Sequence, residues 1–142
     1  MIKKRTSGIF WEDATDVKRK IEMIKEGGEF SWLDLEAITC LRSYGSKSRA
    51  IARIWGLPKL WQKVLKLKPH YVIEVVSEKY DKLNNQQKED VLLHEIAHIP
   101  KNFSGSLVPH YRKGRRKFKD LVKNLKLRYH LDYGNNSSSR RR

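Results

Sequence analysis

His94, Glu95 and His98 stand in the order H-E-x-x-H. On a helix, residues four apart lie one turn above each other on the same face, so His94 and His98 can turn two imidazole nitrogens toward a single ion. Glu95 projects about 100° round the same helix, beside the ion and not bound to it, where its carboxylate can take a proton from an attacking water. That is the chemistry of peptide hydrolysis, and zinc, one per chain, is the metal expected of such a ligand set. The plain alternative is a pair of buried histidines satisfied by ordinary hydrogen bonds, with Glu95 merely solvated. A buried polar triplet needs partners, and a metal supplies them most directly.

Catalytic zinc usually takes three protein ligands and keeps a fourth position open. Glu95 is the last glutamate in the chain, so no later helix can supply a third Glu ligand as thermolysin-like enzymes do. The metzincin spacing also fails, because Lys101 stands where its glycine should be and Ser104 where its last histidine should be. His110, Asp120, His130 and Asp132 remain. Pro100, Gly105 and Pro109 give the segment before His110 the turn chemistry to reverse direction, which favours His110, with His130 next.

The stretch Val91 to His110, VLLHEIAHIPKNFSGSLVPH, resembles a family of short metallopeptidases from archaea, phages and archaeal viruses, whose core reads H-E-L-x-H-I-P-x-x-F-S-G-x-x-x-P-H and which is related in outline to the SprT-like zincins. The resemblance extends upstream through ARIWGLPKLWQ (Ala52 to Gln62) and YVIEVVSEKYDKL (Tyr71 to Leu83). It implies zinc at His94, His98 and His110, with Glu95 as general base. SprT-like proteins place the third histidine slightly further on and follow it with a Gly-containing motif, whereas here His110 runs into Tyr111, Arg112 and Lys113. Their substrate choice is therefore not carried over.

The elements that must position these residues are legible in outline. Asn84 or Asn85 can cap a helix, with Gln87 three residues after Asn84 in the capping-box position, and Pro100 ends it, which places the motif in the last turns of a helix over 85–98. Val91, Leu92, Leu93, Ile96, Ala97 and Ile99 make that half apolar nearly all round, as befits a core helix carrying its polar stripe along a cleft floor. Upstream, Asp13 can cap a helix to Glu26 bearing Val17, Ile21 and Ile24, with Gly27 and Gly28 ending it. Residues 35–42 and 50–55 read as short strands, Pro58 opens a short helix bearing Leu60, Trp61, Val64 and Leu65, and Tyr71 to Val76 is the best strand of the chain. That strand either borders the cleft and binds peptide by strand addition or is an ordinary central strand. A last helix over 113–129 presents Phe118, Leu121, Val122, Leu125 and Tyr129 at helical spacing.

The expected fold class is α+β. It is a minimal zincin-like domain over 1–133, a small mixed sheet with an N-terminal helix, the H-E-x-x-H helix and a basic C-terminal helix. Residues 134–142, GNNSSSRRR, are expected as a disordered basic tail. The single Cys40 excludes an internal disulfide, fits a reducing compartment and is expected as a small core residue rather than a nucleophile. MIKKRTSGIFWED is basic but lacks an apolar core, so it is not a signal peptide, and a cytoplasmic location is expected. No apolar run approaches the roughly 20 residues needed to span a bilayer, and no membrane partner is expected on that ground. Oligomeric state is left open.

Charge is the second strong signal. Lys plus Arg number 31 against 16 Asp plus Glu, a net +15 that points to an anionic partner. Arg112, Lys113, Arg115, Arg116, Lys117, Lys119, Lys123, Lys126 and Arg128 crowd residues 112–128 against Asp120 alone. Either this is a solvated face, or Arg115, Arg116, Lys119, Lys123 and Lys126 contact nucleic acid. Two functions follow: a zinc metallopeptidase whose protein or peptide substrates include nucleic-acid-associated proteins, or a nucleic-acid-binding protein with a structural or silent zinc site. Glu95 favours the first, since a structural site has no use for a base. Tyr111, Arg112, His130 and Tyr133 are the candidate donors to a developing oxyanion.

Overall fold

The computed structural model describes residues 8–110 and 117–140, with 131–140 described as backbone alone. In chain order these form strand β1 (Phe10–Asp13), helix α1 (Thr15–Gly28), a 3-10 turn (Leu35–Ala37), β2 (Ile38–Tyr44), β3 (Ala52–Gly56), α2 (Lys59–Leu65), β4 (Tyr71–Val76), α3 (Ser77–Tyr80), α4 (Asn85–Ile96) and α5 (Phe118–Arg140). The strands make one mixed sheet in the order β1-β2-β4-β3. β2 and β4 run parallel, while β1 and β3 join antiparallel on the two edges. The architecture is α+β, compatible with a minimal zincin-like domain.

YVIEVV is buried almost throughout, as a strand hydrogen-bonded on both sides and covered by helices must be. Ile38, Cys40, Tyr71, Ile73 and Val75 pack against Val17, Ile21 and Ile24 of α1, Leu92, Leu93 and Ile96 of α4, and Tyr129 of α5. Cys40 is a core residue whose thiol burial pushes up to about 11, which leaves it unreactive. Outside this core, Arg42 bridges α1 and α3 by donating to Asp16 at 2.9 and 3.0 Å and to Asp81 at 2.9 and 3.1 Å.

Several boundaries differ from the expectation, the first of them for a non-local reason. Phe10–Asp13 is a strand because it pairs with Leu41–Tyr44, a partner no local pattern reveals. Asp13 therefore extends β1 instead of capping α1, and Ala14 holds the cap position with no side-chain bond. Residues 35–37 form the 3-10 turn, capped by Asp34 accepting from the Glu36 N–H, so β2 starts later and reaches Tyr44. Finally, α5 continues past Tyr129, and its backbone is helical through the stretch expected as a disordered tail as far as Arg140.

β4 is flanked by β2 and β3. It is the central strand and cannot accept an added peptide. Among the described residues the edges open to that are β1 and β3, each paired on one side only.

Candidate metal centre

The capping box predicted for α4 is present in both arms: Asn84 Oδ1 accepts from the Gln87 N–H at 2.8 Å, and Gln87 Oε1 accepts from the Asn84 N–H at 3.0 Å. At the other end regular helix stops at Ile96, and His98 follows in a tighter turn, its N–H donating to the Glu95 carbonyl at 3.0 Å. Pro100 enforces that stop, since a residue before proline is driven out of helical geometry. The turn still brings His94 and His98 to one side.

The third histidine comes from the 99–110 loop, which is fixed at several points. Tyr71, fully buried on β4, accepts from the Gly105 N–H and donates to the Ser106 carbonyl, both at 2.8 Å. Gln62 of α2 donates to the carbonyls of Leu57 and Ser104 at 2.8 and 2.9 Å. Gly105 has φ +97°, and a Cβ there would meet Gln62 Nε2 at 2.3 Å and the Leu57 carbonyl oxygen at 2.4 Å, so glycine is required on both counts. Beyond this point the Val108 N–H donates to the His98 carbonyl at 2.7 Å, and His110 reaches back over α4.

His110 Nε2 lies 3.2 Å from His94 Nε2 and 3.1 Å from His98 Nε2. One ring nitrogen carries either one proton or one lone pair and cannot serve two such partners as a hydrogen-bonding atom. Tetrahedral coordination with metal–nitrogen bonds of about 2.0–2.1 Å sets ligand nitrogens roughly 3.3 Å apart, close to both separations. These residues therefore fit a metal ion. Among the described residues this trio is the group able to hold one. His130, exposed with its ring against Tyr129, and Asp120 are not brought to it, and the Asp132 side chain lies outside the described residues.

The tautomer is set by the surroundings. His98 Nδ1 lies 2.6 Å from the Val108 carbonyl oxygen, an acceptor, so that nitrogen carries the proton and Nε2 turns a lone pair to the cluster. Burial and the neighbouring imidazoles hold His94 down to about 4, and burial also lowers His98, so both present neutral rings at neutral pH. Glu95 is 8% exposed, lines the same cleft and stands outside the trio. Burial alone raises its carboxyl to about 7.

The sequence pattern placed Phe118 only on the apolar face of the last helix. In the structure its ring stacks on His98 at 4.2 Å and meets His94 and His110 edge-on at 5.0 and 4.9 Å, walling the three imidazoles from one side. The cleft over the site encloses about 780 Å³, with β3 along one side and Val91, Leu107 and Lys126 around it. Of the predicted nucleic-acid residues, Lys119, Lys123 and Lys126 border a second depression shared with His94 and Phe118, while Arg115 and Arg116 lie outside the described residues. Arg128 is engaged with the Glu29 carbonyl and the Phe30 ring. No described helix is long and apolar enough to cross a membrane.

No curated protein and no solved structure matches the chain. A family model described as "Putative phage metallopeptidase" matches residues 9–130, a span that takes in the whole sheet, α1 to α4 and all three clustered histidines. With most of its length matched, the chain belongs to that phage metallopeptidase family.

Proposed function

We propose that this protein is a zinc-dependent peptidase of the zincin type. The observation that carries this reading is the convergence of three imidazole Nε2 atoms beside a buried, non-ligating glutamate on the floor of an open cleft. His94, His98 and His110 would hold the ion. When bound, zinc supplies Lewis-acid polarisation of the scissile carbonyl and of the attacking water.

The chain's own residues account for the rest. Glu95 takes a proton from the water as its oxygen attacks the carbonyl carbon, then gives that proton to the amine nitrogen as the C–N bond breaks. Burial raises its carboxyl in the metal-free site, and a bound dication would draw it back down, leaving the carboxylate able to accept the proton. The bond from His98 to Val108 keeps a lone pair facing the cluster. The unpaired edge of β3 supports an extended substrate backbone by strand addition, and Phe118 excludes water behind the imidazoles. Among the candidate oxyanion donors, Tyr111, Arg112 and the Tyr133 side chain lie outside the described residues, and His130 does not line the cleft.

The test is hydrolysis of an unstructured, fluorogenic protein substrate by zinc-loaded protein, its loss on chelation and its return on zinc addition. Zinc-loaded protein that cleaves no better than Glu95→Gln would sink the proposal.

A second observation favours a nucleic-acid partner alongside this activity. Lys126 borders both the cleft and the depression holding Lys119 and Lys123, so the basic face adjoins the site. Substrates carried on nucleic acid would be held there by phosphate contacts. The alternative, a nucleic-acid-binding protein with a silent zinc site, predicts binding without hydrolysis in the same assay.

A further inference from the structure

Helix α2 is amphipathic the wrong way round for a core element. Leu60, Trp61, Val64 and Leu65 fall within an arc of about 140° on a helix of 3.6 residues per turn, and Lys59, Gln62, Lys63 and Lys66 occupy the remainder. The polar side makes the attachment to the protein, through Gln62, which bonds the Leu57 and Ser104 carbonyls. The apolar arc faces solvent. Leu60 is 71% exposed, Val64 62%, Trp61 53% and Leu65 52%, and Leu67, presented just after the left-handed Lys66, is 52% exposed. No residue of α2 is buried. None of these apolar side chains lines the cleft over the histidines, so substrate binding there does not account for them.

We propose that α2, with Leu67 and Lys68, docks on an anionic lipid surface and lies at headgroup depth without crossing it. Three observations select this occupant. Residues 57–73 contain Lys59, Lys63, Lys66 and Lys68 and no Asp or Glu, so the lysines flanking the apolar arc suit phosphate headgroups. A second copy of this chain is opposed by the net +15. Nucleic acid would engage the lysines but leave the aliphatic arc without a partner, whereas the boundary between headgroups and acyl chains accepts a Leu/Trp/Val arc with a Lys flank. The sequence expectation of no membrane partner rests on spanning length, a criterion that a surface-bound helix does not have to meet. This proposal does not depend on the peptidase reading.

The experiment is co-sedimentation of the full chain with vesicles of phosphatidylcholine alone and of phosphatidylcholine with phosphatidylglycerol. Charge alone draws so basic a protein to anionic vesicles, so the discriminating variant is Leu60→Ser with Val64→Ser, which keeps every lysine. Both side chains are exposed, and unchanged circular dichroism and zinc uptake confirm that the variant is folded. Wild type should bind the anionic vesicles, retain part of that binding at about 1 M salt, where the screening length falls to roughly 3 Å, and lose at least about tenfold in partition in the double-serine variant. Brominated acyl chains should quench a fluorescence component that Trp61→Phe removes. Equal partition of wild type and variant, absence of Trp61 quenching, or capture of α2 by an acidic protein surface without partition into vesicles would each overturn the proposal.

Discussion

His98 and Val108 are joined twice: the Val108 N–H donates to the His98 carbonyl at 2.7 Å, and His98 Nδ1–H donates to the Val108 carbonyl at 2.6 Å. One pair of residues thus fixes the ring of the second histidine and the approach of the loop carrying the third. Ligand orientation of this kind matters because outer partners of metal-binding histidines are worth about 10–100-fold in affinity.

The ligand assignment is checked by metal analysis. His110→Ala should lower zinc occupancy sharply, from about one per chain, while His130→Ala should leave it unchanged. The reverse pattern would show that the third ligand is wrongly chosen.

The loop that delivers His110 depends on Tyr71 and Gly105. Tyr71→Phe removes the hydroxyl that bonds both the Gly105 N–H and the Ser106 carbonyl, leaving the buried Gly105 N–H unpaired, at a cost of about 1–3 kcal/mol. Gly105→Ala adds strain at positive φ and a clash with Gln62. Both variants should bind zinc more weakly than wild type in a chelator competition, Gly105→Ala the more so. Wild-type affinity in both would mean that the loop is not held by these contacts.

Glu95→Gln separates binding from chemistry. An amide cannot take up the water's proton at neutral pH, so turnover should fall by about 10²–10⁴-fold with zinc content and circular dichroism intact. Loss of zinc from this variant would identify Glu95 as a ligand instead.

Phosphate contact by α5 has its own signature. If Lys119, Lys123 and Lys126 track phosphates, replacing all three by Gln should flatten the salt dependence of duplex DNA binding by up to about three contacts, at roughly 0.9 log unit of affinity per contact per log unit of salt. Wild type that shows no salt-sensitive binding at low ionic strength in a fluorescence titration would make this face merely solvated.

Acid stability should report on Arg42. Its guanidinium lowers the pKa of Asp16 and Asp81 below the ordinary aspartate value of 3.8. Carboxylates depressed in the folded state contribute stability that is full above about pH 4 and is lost as pH falls through their folded values. Both are substantially exposed, so the pair contributes only about 1 kcal/mol. Arg42→Ala should therefore destabilise at pH 7 and show a shallower further loss below pH 4 in urea melts than wild type.

What could be read from the order of residues is what short-range contacts dictate. Asn84 and Gln87 cap α4, Pro100 ends it, His94 and His98 share a side because of their spacing, YVIEVV reads as a strand, and the Pro-Gly-Pro loop makes His110 the natural third partner. All of these rest on contacts within a few residues or on turn chemistry. Tertiary structure decided the rest, because pairing partners far apart in the chain carry no mark in a local pattern. Phe10–Asp13 became a strand by meeting β2, and β4 became central, so that β3 and not β4 offers an edge beside the cleft. Phe118 came to rest on all three imidazoles, although its spacing announced only an apolar face. In α2 the periodicity was visible in the sequence, but periodicity states only that two faces differ. Attachment through Gln62 decided which face meets the protein and which meets solvent.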